Sequence, residues 1–144
     1  MYGSTSVDVE EVLRNTPLFS QLQKKDIKRL AAALTDRSYP AGAVIIEQGK
    51  PGVGLFVIGD GTVTVSVNGK TVRTCEAGDH FGEVALIDDG PRTAEVKADT
   101  DVQCFVLPAW QFRAIVTEHP DVAWALLRTL VQRVVRDAEE PDQV

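Results

Sequence analysis

The chain has 144 residues, a length that suits one domain and can bury a real core. Apolar residues make up 44% and charged residues 25%, as in an ordinary soluble globular protein, and the net charge of −6 excludes a protein that neutralises many nucleic-acid phosphates. That balance still leaves room for one small anion in a local pocket, because net charge does not describe a single site.

The chain opens on "MYGSTSVDVEEVLRN", which has no basic patch followed by an apolar stretch and so does not resemble a secretory signal. "SVDVEEVLRN" and "SQLQKKDIKRLAAAL" carry apolar residues at helical spacing, with Ile27, Leu30, Ala31 and Leu34 on one face. Ser20 is the expected cap of the second helix. "TPLFSQL" between them reads as a bend, since Pro17 disfavours helix at Thr16.

A strand-rich zone follows, from about 37 to 107. "AVIIEQG" is short, apolar and β-branched. In "GLFVIGDGTVTVSVNGKTVRTCEAGD", Val63, Val65 and Val67 alternate with Thr62, Thr64 and Ser66, a period of two. Asn68-Gly69 predicts a tight hairpin, because both residues tolerate positive φ. "AEVKADTDVQCFVL" supplies two more strands with a turn near Asp99 to Asp101. Short strands broken by Gly and Asp at close spacing predict a small antiparallel barrel or sandwich.

The last zone is helical. "PAWQFRAIVTEH" can start at Pro108, and Pro120 opens "PDVAWALLRTLVQRVVRDAEE". Val122, Leu126, Leu127, Leu130, Val131, Val134 and Val135 form a wide apolar stripe there, with Arg128, Gln132, Arg133 and Arg136 filling much of the rest. The tail "EEPDQV" is expected to fray. No run approaches the roughly 20 apolar residues a membrane helix needs, so the cytoplasm is the expected compartment.

Chemistry-bearing residues are few. Cys75 and Cys104 sit in apolar or strand-like contexts and read as reduced, buried thiols. Two isolated cysteines do not make a zinc site. His80 is expected at a polar rim and His119 as a capping residue at a helix junction. Neither belongs to a metal-ligand pattern. Asp88 and Asp89 are adjacent and point apart. No catalytic or metal-binding residues are assigned, and no enzyme activity is expected.

One stretch stands out. Residues 81 to 94 read "FGEVALIDDGPRTA", an apolar run carrying Glu83 and Arg92. An arginine stays charged when buried, and burial without a partner is costly. Either the two charges pair with each other or face solvent, or Arg92 awaits an anion, which its flat fork of donors suits. Gly78, Gly82 and Gly90 allow tight turns and a close ligand approach. "EVALI" can form a short helical turn whose first N–H groups point at an anion. Glu83 would repel a phosphate and suits a sugar hydroxyl. Together these describe a site for a nucleoside monophosphate.

"FGEVALIDDGPRTA" resembles the phosphate-binding cassette of cyclic nucleotide-binding domains, including its Gly-Glu pair, its spacer and its Pro-Arg-Thr-Ala ending. "LFSQLQKKDIKRLA", "YPAGAVIIEQGKPGVGLFVIGDGTVTV" and "HPDVAWALLRTLVQRV" resemble the family's N-terminal helical segment, early strands and final helix, so residues 16 to 136 or so are covered. Gly59 and Asp60 depart from the family's usual residues, at a turn. The resemblance implies a mainly β fold, an antiparallel β-roll or jelly-roll-like barrel with N-terminal helices and C-terminal lid helices. Residues 16–138 would form the domain, with a helical extension over 1–15 and a flexible tail over 139–144.

Carried over residue by residue, Arg92 would hold the cyclic phosphate and Glu83 would accept from the ribose 2′-hydroxyl. Backbone groups of Gly82, Val84 and Ala85 would cap phosphate and ribose, and Thr93 would add a hydroxyl. The ligand implied is cAMP, with cGMP as the alternative. The base would be capped from the final helix, between Arg133 and Ala138. The chain carries no output module after that helix, so it reads as a standalone sensor or as a regulatory domain of a longer protein. The final helix is expected to dimerise or to dock on an output domain. A ligand-free interaction module that keeps the fold is the rival reading; a metal barrel lacks the ligands it would need.

Overall fold

The computed structural model describes residues 8–20, 22–82 and 92–139, except for the side chains of residues 133, 134 and 136–139. Two helices open the described chain, α1 (Val9–Asn15) and α2 (Lys24–Ala33). Eight strands follow: β1 (Thr35–Tyr39), β2 (Val44–Ile46), β3 (Gly54–Asp60), β4 (Val63–Val67), β5 (Lys70–Cys75), β6 (His80–Phe81), β7 (Glu95–Ala98) and β8 (Val102–Pro108). Helices α3 (Ala109–Glu118) and α4 (Pro120–Glu139) close the described chain.

The strands form two four-stranded sheets, ordered β1-β8-β3-β6 and β2-β7-β4-β5. Every described pairing is antiparallel. The expected antiparallel roll is present, built as two facing sheets rather than a closed barrel. The Asn68-Gly69 hairpin joins β4 to β5 as expected, with φ of 52° and 80° at the two turn residues. The turn between β7 and β8 is tied to β4, whose Thr64 hydroxyl donates to the Asp99 carboxylate at 2.8 Å.

Two cores share β3. Its residues alternate in direction, and both faces are covered. Phe56 and Ile58 point between the sheets, among Val63, Val65, Phe81 and Val106. Leu55 and Val57 point the other way, onto Leu13, Ile27, Leu30, Phe112 and Leu126 of the four described helices. Each such side chain contributes about 1.5–3 kcal/mol on burial. The helices therefore hold the sheet carrying β3 in place from outside, and the inter-sheet core holds it from inside.

Several local readings are corrected. Ser20 does not cap α2. Its hydroxyl donates to the Pro17 carbonyl at 3.2 Å, and the cap position belongs to Gln23, whose side chain makes no capping bond. A side-chain cap is found on α1, where Asp8 Oδ1 accepts from the Glu10 amide at 3.0 Å. His80 lies on β6 opposite Val57 and is only 2% exposed, so it is not a rim residue. His119 meets its expectation: its amide closes α3 on the Ile115 carbonyl at 2.7 Å, and its carbonyl accepts from Val122 at 3.0 Å.

Cys75 and Cys104 are buried thiols, as the sequence suggested. Burial pushes the Cys104 thiol up to about 12, with Arg37 opposing the rise. The thiol stays protonated at neutral pH and is no nucleophile there.

The stripe on α4 is only partly used. Val122, Ala125 and Leu126 are buried, whereas Trp124, Leu127, Val131 and Val135 are exposed, as is Trp110 on α3. No helix among the described residues is long and apolar enough to cross a membrane.

Candidate functional site

Three segments converge on Arg92: the start of β3, the end of β6 and the approach to β7. The backbone at residue 92 is fixed first. Its amide donates to the Lys50 carbonyl and its carbonyl accepts from the Gly49 amide, both at 2.8 Å. The guanidinium is fixed next, donating from Nη1 to the Gly82 carbonyl at 3.0 Å and from Nη2 to the Gly54 carbonyl at 2.8 Å. Arg92 is 9% exposed, so a permanently charged group is held in a buried setting by oriented carbonyl dipoles.

The two carbonyls are brought together by strand pairing. β6 pairs with β3 with Phe81 opposite Phe56, and the two rings stack 4.9 Å apart at 8°. That stack sits one residue before Gly82 and two after Gly54. The inter-sheet core thus sets the spacing of the two acceptors.

Gly82 has φ of 84°, and a Cβ there would lie 2.9 Å from the Gly54 carbonyl oxygen and 3.2 Å from both terminal nitrogens of Arg92. Both the backbone and the neighbours require glycine. Gly82→Ala is therefore expected to destabilise the fold by about 1–3 kcal/mol. Gly69→Ala is the control, since Gly69 also has positive φ but nothing within 4 Å of a Cβ. Urea unfolding should show the larger loss at residue 82. Equal losses would mean that the contact with Arg92 and Gly54 is slack.

A cavity of about 320 Å³ opens beside Arg92, and its walls also include Arg37, Tyr39, Glu47, Lys50 and Phe56. Among the described residues its charged lining comprises Arg37, Lys50, Arg92 and one carboxylate, Glu47, in a chain whose net charge is −6. The charges of that described lining favour an anion, against the sign of the whole chain.

Of the sequence-selected site residues, the structure brings Gly82 and Arg92 into direct contact. Thr93 is exposed beside them. Glu83, Val84 and Ala85 lie outside the described residues, as do the side chains of Arg133 and Arg136 on α4. The carbonyl of Gly54 and the backbone of Gly49 and Lys50 also hold Arg92 and were not legible in the sequence. They act through main-chain atoms, which leave no side-chain signature. Among the described residues, no group of His, Cys, Asp and Glu is placed to hold a metal ion.

Residues 36–119, more than half of the chain, match the family model of the cyclic nucleotide-binding domain. The chain belongs to that family. A cAMP-dependent protein kinase regulatory subunit of Candida albicans is 41% identical to this cyclic nucleotide-binding domain over 120 residues, covering 81% of this chain and 26% of that protein. The catabolite activator protein of Thermus thermophilus superposes with a TM-score of 0.79 at 29% identity, over 88% of this chain and 62% of that one. The regulatory domain of Toxoplasma gondii PKA, crystallised with cAMP, gives 0.69 at 30% identity, over 74% of this chain and 42% of that one. The domain thus spans about a quarter of the length of the fungal regulatory subunit. The family is a regulatory binding domain, not a catalytic one, and the two facing sheets with flanking helices are its β-roll.

Proposed function

We propose that the domain is a cyclic nucleotide sensor whose ligand is cAMP, and that it catalyses no reaction. The observation that carries the reading is Arg92: a buried guanidinium, aimed by two backbone carbonyls, beside a cavity with a cationic lining. Nucleotide-sized ligands occupy cavities of about 300–1,000 Å³, and an arginine fork is the side chain best matched to a phosphate. The likeness to the cAMP-bound regulatory domain supports the choice of ligand.

In this reading Arg92 takes the cyclic phosphate and Glu83 the ribose 2′-hydroxyl. Gly82, Val84 and Ala85 contribute backbone contacts and Thr93 a hydroxyl. The sensor unit is residues 16–138. Helix α4 closes over the ligand and reports it to a partner, either a second copy or an output domain. The exposed Trp124, Leu127, Val131 and Val135 supply apolar surface for that contact. The compartment is the cytoplasm.

Competition against a fluorescent cyclic nucleotide tests the base preference. cAMP should displace the probe at lower concentration than cGMP. The reverse order would assign the site to cGMP.

A further inference from the structure

Helix α2 carries cations that its packing does not use. Lys24, Lys25, Lys28 and Arg29 are exposed and lie on one side of the helix, within an arc of about 140°. Ile27 and Leu30, on the other side, are buried in the core. Arg29 donates to the buried Asp26 at 2.9 Å. The three lysine side chains make no ion pair or hydrogen bond among the described residues. The exposed carboxylates of Glu118 and Asp121, at the neighbouring α3–α4 junction, are beyond ion-pair distance of them.

This arrangement works against the helix. Lys24 with Lys28, and Lys25 with Arg29, are like charges four residues apart, and Lys24 and Lys25 stand in the first turn, where the helix dipole disfavours cations. The cluster also sits in a chain of net charge −6. Such a face suits an acidic partner better than it suits folding.

The chain itself carries a match. Its densest run of carboxylates is "DAEEPD" at residues 137 to 142, four acids in six residues, against four cations in residues 24 to 29. The patch of the same copy is out of its reach. Helix α4 starts beside α2, with His119 Nδ1 3.8 Å from Asp26 Oδ1, and its 20 residues extend for about 30 Å. Residues 140 to 142 span at most about 11 Å beyond its end.

We propose that the cationic face of α2 binds the acidic segment 137–142 of a second copy of this chain. In a two-fold pair the contact occurs twice, and the α4 helices run antiparallel between the two contacts. Exposed ion pairs are individually weak, so their role is to choose the partner surface and its register. Trp124, Leu127 and Val131, exposed on α4, supply apolar area between them. The pairing needs no nucleotide and does not rest on the sensor reading.

The test is sedimentation velocity on the whole chain without nucleotide, at concentrations up to about 100 µM, which captures any tighter dissociation constant. At low salt the wild type should show a concentration-dependent dimer, at least about tenfold weaker at high salt, where exposed charges are screened. Two charge reversals probe the contact: Lys24→Glu/Lys25→Glu/Lys28→Glu in the patch and Glu139→Lys/Glu140→Lys/Asp142→Lys in the segment. Each alone should sediment as a monomer. Each should also melt cooperatively and no lower than wild type, because carboxylates then occupy the first turn of α2, or a cation the last turn of α4. Mixed together, the two variants should associate, since each supplies the charge that the other's surface now requires. The milder Lys24→Gln/Lys25→Gln/Lys28→Gln should weaken the dimer in the same direction. A wild type that stays monomeric at low salt would overturn the proposal. A dimer that survives either reversal would do so too, as would cooperatively melting variants that fail to associate when mixed.

Discussion

Arg92→Ala will weaken cyclic nucleotide binding by about ten- to a hundredfold. A charge-assisted hydrogen bond to a phosphate contributes about 1.5–3 kcal/mol, and each 1.4 kcal/mol is tenfold in affinity. The substitution also removes the donors that meet the Gly82 and Gly54 carbonyls, so the residues just after β6 and at the start of β3 lose a bridge that supplements their strand pairing. Arg92→Lys separates the two effects. Lysine keeps the charge but cannot present a planar fork, so it should recover only part of the affinity. Glu83→Ala should cost less than Arg92→Ala, because a ribose hydroxyl is a neutral partner. Equal losses at residues 83 and 92, read by calorimetry, would contradict the assigned roles.

Phe81→Ala will carry the largest cost in stability, about 3–5 kcal/mol. The ring is almost fully buried, stacks on Phe56 and fills the space between the sheets next to Ile58 and Val106. Its removal leaves a cavity bounded by two hydrogen-bonded sheets, which cannot collapse freely. The urea midpoint should fall with little change in slope. Because Phe81 sets the position of Gly82, the variant should also bind nucleotide less tightly than its residual fold predicts. A loss below about 1 kcal/mol would mean that the stack contributes little to the inter-sheet core.

Much of the fold was legible because its signals are local. The alternation in "TVTVSV" gives β4, the Asn68-Gly69 pair gives the hairpin to β5, and the two prolines mark the starts of α3 and α4. β1 was not legible. Its sequence, "TDRSY", is polar, and it becomes a strand only by pairing with β8 from Thr35 opposite Val106 to Tyr39 opposite Val102. β6 is two residues long, and without its pairing to β3 nothing distinguishes His80 from a surface histidine. Asp26 likewise looks like one more charge in "QKKDIKRL". In the fold it is buried, 3.8 Å from His119 at the α3–α4 junction, which lies far along the chain.

The site divides in the same way. "FGEVALIDDGPRTA" announces Arg92 and Gly82 as residue types in a recognisable order. The aim of the guanidinium depends on a carbonyl at residue 54, supplied by a strand whose sequence reads only as apolar. A sequence pattern can name the charged group, but the direction in which it points is set by the register of β3 against β6.

The most direct test of the sensor reading is titration calorimetry of the purified chain with cAMP, after unfolding and refolding to remove carried-over nucleotide. Micromolar or tighter binding is expected, lost or sharply weakened in Arg92→Ala. No heat of binding from a refolded, cooperatively melting wild-type protein would contradict it and would leave the domain as a protein-interaction module on the same fold.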